Sequence, residues 1–168
     1  RIAISGPDGF IAWHTRCALR ARNGGGDAIG LTEAEFDDPE RMDAALAQSD
    51  AVIHLAGINR ASEDRAIAEV NPWLAKQLVA SLERIGKRIP VVYGNSIHSR
   101  GDSVFGIAKR EAAAILRGWG QLTGAPIADV VLPNIIGEEG APFYNSVVAT
   151  FCHLLARGET PEIQVDRE

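Results

Sequence analysis

Short apolar segments alternate with longer stretches of helical periodicity along most of the chain. The apolar segments are nearly continuous and rich in Val, Ile and Leu, which is typical of strands buried on both faces of a sheet. They predict strands at 1–5, 28–31, 51–57, 89–96 and 126–133. The amphipathic stretches predict helices at 10–22, 39–48, 63–86, 103–122 and 144–157.

The alternation of these elements indicates the fold class. Strands separated by helices form βαβ units, and such units build a parallel sheet. Right-handed crossovers then predict a doubly wound α/β sheet, a Rossmann fold, with ligands outside the carboxyl ends of the strands. After Pro133 the alternation weakens, so we place a domain boundary between 1–133 and 134–168. The chain begins and stops inside strand-like segments, and we therefore expect it to be part of a longer protein.

A glycine-rich turn follows the first predicted strand, with the spacing Gly6-x-x-Gly9-x-x-Ala12. The first glycine allows a tight turn, the second lets the backbone approach a pyrophosphate, and the small third residue allows close helix–strand packing. The next helix offers free N–H groups and the positive end of its dipole to an anion. The turn therefore predicts a dinucleotide site; a tight turn without a ligand is the alternative.

The residues after the second strand bear on the choice of dinucleotide. That strand ends in Leu31-Thr32-Glu33, and a carboxylate at this point can accept hydrogen bonds from ribose hydroxyls. No Arg or Lys follows closely to meet the 2′-phosphate of NADP. NAD is therefore favoured over NADP, with a solvated surface glutamate as the other interpretation of Glu33.

Charge and composition exclude several partners. The net charge of −5 argues against nucleic acid or an anionic membrane surface as the main partner. No apolar run approaches the ~18 residues of a membrane span. Cys17 and Cys152 are far apart and lack metal or redox spacing. We therefore expect no metal, a reducing cytoplasmic location, and two thiols that act as small core residues.

Several short motifs occur together in the order of one enzyme family. They are SGPDGFIA (5–12), HLAGINR (54–60), Asn71 in the next helix, Ser96 at a strand end, an x-x-x-Lys helix ending at Lys109, and LPNIIG (132–137). In this combination the chain resembles the extended short-chain dehydrogenases/reductases, and among them the NAD-dependent epimerase/dehydratases that act on nucleotide sugars. HLAGINR and PFYNSVVATFCHLLARG (142–158) also resemble the capsular-polysaccharide nucleotide-sugar reductases of the CapF/WbjC type. In that subgroup a C-terminal cupin domain follows.

The resemblance implies an oxidoreductase or epimerase that uses NAD or NADP on a nucleotide-linked sugar in surface polysaccharide synthesis. It also implies that 134–168 begins a small substrate-binding lobe, and that helices 63–86 and 103–122 form a homodimer interface. The residues implied to bind the cofactor are Gly6, Asp8, Gly9, Phe10, Ile11, Thr32, Leu55, Ala56, Gly57, Lys109 and Pro133. The residues implied to contact the substrate are Asn59, Arg60, Ser96, Asn134, Tyr144, Asn145 and Ser146.

The chain departs from the family at one catalytic position. The resemblance implies that Ser96 hydrogen-bonds the substrate, and that Lys109 binds the nicotinamide ribose and lowers the pKa of a tyrosine four residues earlier. Position 105 is Phe, which has neither a donor nor an acceptor. Losing a positioned general acid typically costs ~10²–10⁴-fold in rate. Hydride transfer stays possible, because the cofactor supplies that chemistry.

Two hypotheses follow from Phe105. In the first, the chain is an enzyme in which His98 or Tyr144 replaces the missing hydroxyl, although an exposed loop histidine is the simpler interpretation of His98. In the second, it is a catalytically impaired dinucleotide-binding paralogue with a sensing or assembly role. Elsewhere, we expect His54 to be a hydrogen-bonded core residue, Tyr93 to be in the core, and the three tryptophans to be packing residues rather than base-stacking platforms.

Overall fold

Five parallel strands form one sheet in the first of two compact units, 1–133 and 134–168. The computed structural model describes residues 1–22, 28–144 and 146–163 of the chain. The strands are β1 (Ile2–Ser5), β2 (Ile29–Leu31), β3 (Ala51–His54), β4 (Val91–Ser96) and β5 (Ile127–Leu132). Their order across the sheet is β2-β1-β3-β4-β5, and every neighbouring pair is parallel. The predicted parallel α/β sheet is confirmed.

Helices connect the strands of the first unit. They are α1 (Phe10–Arg22), α2 (Glu33–Asp37), α3 (Pro39–Ala47), α4 (Asp64–Arg84), a 3-10 helix (Ile97–Arg100) and α5 (Val104–Thr123). The apolar pattern does not predict α2, which begins with a capping box. The Oγ1 of Thr32 accepts the Ala34 N–H at 3.3 Å, and Oε2 of Glu35 accepts the Thr32 N–H at 2.7 Å. The spacing Thr-x-x-Glu is the sequence signal that identifies this helix start.

The main hydrophobic core lies on one face of the sheet, under α2, α3, α4 and α5. The fully buried side chains of this core include Leu31, Leu46, Val52, Leu78, Leu82, Val91 and Leu116. The chain leaves β1 on one side to form β2 and returns on the other side to form β3. Because crossovers of this kind are right-handed, α1 lies on the face of the sheet opposite the core.

The reversal of strand order also fixes where a ligand can bind. β1 pairs with β2 on one side and with β3 on the other. The chain segments that follow β1 and β3 therefore diverge at the carboxyl edge of the sheet and leave a crevice between them. The glycine-rich turn follows β1, and the HLAG segment contains the end of β3, so both motifs lie at this crevice.

In the second unit, residues Val147–Ala156 form α6. Ser146 caps this helix, and its Oγ accepts the Ala149 N–H at 3.1 Å. Cys152 on α6 and Cys17 on α1 are both exposed, so the expectation that the thiols are core residues is wrong. Each cysteine lies on the exposed side of its helix, which leaves its thiol accessible to solvent. Among the described helices, none is long and apolar enough to cross a membrane.

Candidate functional site

The turn after β1 is closed by its own backbone. Gly6 has a φ of 63°, and its N–H donates to the carbonyl of Leu31 at 3.0 Å. The Gly9 N–H donates to the Gly6 carbonyl at 3.0 Å, and α1 begins at the next residue. The positive φ favours glycine at position 6, and a Cβ there would lie 3.1 Å from the Cα of Ala56. The unpaired N–H groups of the first turn of α1 therefore open onto a tight backbone loop that suits a diphosphate.

A cleft of about 730 Å³ extends from this turn along the ends of β2 and β3 to α4. This volume lies within the range of pockets that hold small-molecule ligands. The predicted cofactor residues that line the cleft are Gly6, Asp8, Gly9, Thr32, Leu55, Ala56 and Gly57. Phe10, Ile11, Lys109 and Pro133 do not line it: the first two lie in the first turn of α1, and Pro133 directly follows β5.

Ser5 and His54 form a buried pair beneath the cleft. The Oγ of Ser5 accepts the N–H groups of Leu55 and Ala56, each at 2.9 Å, and lies 2.7 Å from Nδ1 of His54. With both lone pairs occupied, the hydroxyl donates its proton to Nδ1, so the ring proton of His54 is on Nε2. Burial, and then the charge of Lys109, lower the pKa of His54 to about 3. The prediction of a hydrogen-bonded core histidine is confirmed, and the pair holds the segment after β3 in place.

Asn71 fixes the same segment from the side of α4. Its Nδ2 donates to the carbonyl of Ile58 at 2.9 Å, and its Oδ1 accepts the Ile58 N–H at 3.2 Å. The side chain is buried and leaves no room above Gly57, where an added Cβ would collide with Oδ1. The floor of the cleft is therefore held from β1 by a hydroxyl and from α4 by an amide.

The predicted catalytic residues cluster at the end of β4. Ser96 ends the strand and caps the 3-10 helix, with its Oγ accepting the His98 N–H at 3.2 Å. Asn95 orients this strand end, because its Oδ1 accepts the Ser96 N–H at 2.8 Å and its Nδ2 donates to Asp129 at 2.8 Å. The sequence did not indicate Asn95, which acts through the backbone of its neighbour.

Lys109 reaches the same strand from α5. Its side chain is 5% exposed, its Nζ donates to the carbonyl of Gly94 at 2.6 Å, and it lies 4.3 Å from the centre of the Tyr93 ring. Burial lowers the pKa of Lys109 to about 8, and the negative charge of Asp129 opposes this shift. Lys109 is thus an amine that can change its protonation state near neutral pH. Its partner Gly94 lies two residues before Ser96 in β4.

Phe105 lies one helical turn before Lys109 and is half-buried. Its ring centre lies 6.2 Å from that of His98, in an edge-on arrangement. His98 itself is exposed. The structure therefore brings the position of the missing tyrosine, the lysine and Ser96 to one strand end, with an imidazole beside the phenyl ring.

The predicted substrate residues are divided between the two units. Asn59 and Arg60 lie in an exposed segment between β3 and α4. Asn134, Tyr144 and Ser146 belong to the second unit; Asn145 is outside the described residues. Their contact with a substrate stays a prediction.

The residues 4–166 match the model of the NAD dependent epimerase/dehydratase family. A UDP-2-acetamido-2,6-beta-L-arabino-hexul-4-ose reductase from Pseudomonas aeruginosa is 31% identical over 157 residues, which are 94% of this chain and 41% of the relative. The crystal structure of the capsular polysaccharide assembling protein CapF from Staphylococcus aureus has a TM-score of 0.79 at 29% identity, over 99% of this chain and 44% of CapF.

A third protein shares the fold at lower identity. The UDP-N-acetylglucosamine 4-epimerase from Bacillus cereus has a TM-score of 0.71 at 18% identity, over 85% of this chain and 56% of the epimerase. This chain thus spans less than half the length of the first two relatives. The family match covers both the glycine-rich turn and the end of β4, and the chain belongs to the NAD dependent epimerase/dehydratase family.

Proposed function

We propose that this chain binds NAD and takes part in an oxidoreductase or epimerase reaction on a nucleotide-linked sugar in surface polysaccharide synthesis. The observation that carries the proposal is the cleft between β1 and β3. It joins a closed glycine turn at a helix N-terminus to the carboxyl end of β2. The similarity to the Pseudomonas reductase and to CapF supports the sugar nucleotide as substrate. As part of the same proposal, we place the protein in the cytoplasm.

NAD fits the cleft better than NADP. The carboxylates of Glu33 and Asp37 line it, and no Arg or Lys is present among its described lining residues. The 2′-phosphate of NADP would bring about two negative charges to a cleft whose lining already carries the carboxylates of Asp8, Glu33 and Asp37. The ribose hydroxyls of NAD can instead donate hydrogen bonds to a carboxylate.

The roles proposed for the chain's own residues follow from their positions. Ser96 would hydrogen-bond the reacting oxygen of the sugar, and the ammonium of Lys109 would hold the cofactor beside it. Bound NAD supplies the hydride chemistry. The proton must come from a group other than residue 105. We propose His98 for this role, because its imidazole lies beside the Phe105 ring. Asn59, Arg60, Asn134, Tyr144, Asn145 and Ser146 complete the proposed substrate contacts.

Phe105 supports a second candidate function. A phenyl ring in place of the phenol leaves the cleft unchanged and removes the proton donor, which is what a dinucleotide-binding protein without turnover requires. In this function the chain senses or carries the dinucleotide, and an interface through α4 and α5 would join two copies.

The two functions are separated by measuring NADH oxidation with a UDP-4-keto sugar, for the wild type and for Phe105→Tyr, His98→Ala and Tyr144→Phe. The enzyme hypothesis expects wild-type turnover that His98→Ala or Tyr144→Phe lowers by about 10²-fold or more. The binding hypothesis expects a silent wild type that binds NADH, with activity appearing in Phe105→Tyr. A wild type that binds neither NAD nor NADH would contradict both.

A further inference from the structure

Two aromatic rings form one wall of the cleft. Phe36 from α2 and Trp73 from α4 both line it, and their ring centres lie 6.1 Å apart at an angle of 45°. Phe36 is buried and also contacts the ring of His54 at 6.4 Å, so the core holds it in place. Trp73 is 39% exposed, although its neighbours Pro72 and Leu74 are buried. We name this pair, Phe36 and Trp73, the aromatic wall.

Packing alone does not account for the position of Trp73. Trp119 shows what a packing tryptophan in this chain looks like, because it lies in the core and is 4% exposed. Trp13 is as exposed as Trp73 but does not line the cleft. Trp73 is thus the partly exposed tryptophan that lines the cleft, with the buried ring of Phe36 beside it.

The chemical groups that line the cleft differ from one group of elements to another. The turn after β1 contributes the backbone of residues 6–9 to the lining, directly before the N-terminus of α1. Glu33 and Asp37 on α2 offer carboxylates to hydroxyl groups. Phe36, directly before Asp37, begins the remaining side, which is aromatic and aliphatic and continues with Val70, Trp73 and Leu74 of α4. Diphosphate, ribose and adenine require these three kinds of surface in turn.

We propose that Trp73, supported by Phe36, is the stacking platform for the adenine ring of the dinucleotide. The inference rests on the proposed NAD binding and adds to it the residue that recognises the base. A flat purine stacks on an indole face through dispersion and the ring quadrupoles, and such stacking is sequence-independent because every base has a π face. The held Phe36 keeps the indole from collapsing into the cleft when no ligand is bound.

The test compares Trp73→Leu, Trp73→Phe and the control Trp13→Leu with the wild type by calorimetric titration of NADH, ADP and inorganic pyrophosphate. Leucine keeps apolar bulk and removes the aromatic face. We expect Trp73→Leu to weaken NADH and ADP by the same factor, about tenfold, and to leave pyrophosphate unchanged. We expect the affinities of Trp73→Phe for NADH and ADP to stay within about threefold of the wild-type values. The affinities of Trp13→Leu should equal those of the wild type. A purely structural role of Trp73 would instead weaken all three ligands together.

Tryptophan emission gives a second readout. ADP should quench part of the wild-type emission by stacking on Trp73, and the quenching should be absent in Trp73→Phe while calorimetry still detects binding. If Trp73→Leu does not fold, as judged by circular dichroism, this comparison decides alone. ADP binding to Trp73→Leu within twofold of the wild type, or equal quenching in Trp73→Phe, overturns the inference and leaves NAD binding intact. A wild type that binds neither NADH nor ADP overturns the proposed function itself, and the inference with it.

Discussion

Lys109 is a buried cation, and its burial should make the stability of the protein depend on pH. The side chain is 5% exposed, and burial lowers its pKa from 10.5 to about 8. In the unfolded chain the amine regains its ordinary pKa. Between these two values the unfolded chain binds more protons than the folded one, so the free energy of unfolding rises with pH. The destabilisation from Lys109 is fully present below pH 8 and disappears as the pH approaches 10.5.

The size of the effect follows from the two pKa values. Between pH 7 and pH 10 the free energy of unfolding should gain about 2–3 kcal/mol from Lys109. Burial raises the pKa of the Tyr93 phenol, so this neighbour acts in the opposite direction once the unfolded tyrosine begins to ionise near pH ~10. The useful window is therefore pH 7 to 10.

Urea unfolding of the wild type and of Lys109→Met at intervals across this window isolates the lysine, because the other titrating groups cancel in the difference. The wild type should gain about 2–3 kcal/mol relative to Lys109→Met between pH 7 and pH 10. The exposed Lys76 on α4 provides the matched control, and Lys76→Met should follow the wild-type curve. A wild-type-minus-Lys109→Met difference that stays constant within about 0.5 kcal/mol would refute the depressed pKa of this amine.

Three further predictions concern the sheet edge and the helices. Because the pKa of buried His54 is about 3, only the unfolded chain takes up a proton on this ring between pH 6.5 and pH 3. The free energy of unfolding should therefore fall by about 2 kcal/mol between pH 7 and pH 5 in urea unfolding, and His54→Asn should not show this loss. Gly57→Ala should lower the free energy of unfolding by about 1–3 kcal/mol through its collision with Asn71, whereas Gly118→Ala, in open space on α5, should raise it by about 0.5–1 kcal/mol in the same thermal melts. Glu33→Arg should shift the ratio of NADPH to NADH affinity upward by about tenfold in fluorescence titrations, and an unchanged ratio would place the ribose elsewhere.

The parts of the structure with a periodic or short-range signal were predictable from the sequence. Continuous apolar runs gave the five strands, and the spacing of Gly6 and Gly9 gave the turn, because each depends on residues close together in the chain. Helix α2 has five residues, too few for a helical period to appear, and only its capping box identifies it. The predicted helix 63–86 agrees closely with α4, and the structure places Pro72 inside this helix.

Residues whose role depends on a distant partner could not be predicted in the same way. From the sequence, Ser5 is an ordinary strand residue. Its role follows from the pairing of β1 with β3, which brings the Leu55 N–H, 50 residues later in the chain, to its hydroxyl. Trp73 reads as a packing residue because periodicity shows that α4 has an apolar face but not that one edge of that face borders the cleft. Long-range pairing of elements, rather than local propensity, determines both roles.

The described lining of the cleft and the ring of Phe105 belong to different elements of the fold. The cleft depends on β1, β2, β3, α2 and α4, with Ser5 and Asn71 holding its floor by hydrogen bonds. Residue 105 belongs to α5, its ring lies beside that of His98, and it is not among the described lining residues of the cleft. If the cleft binds the dinucleotide as we propose, a phenyl ring at this position takes away a proton donor and leaves the lining of the cleft as it is. Binding and turnover are then separate properties, which is why Phe105→Tyr distinguishes the two proposed functions.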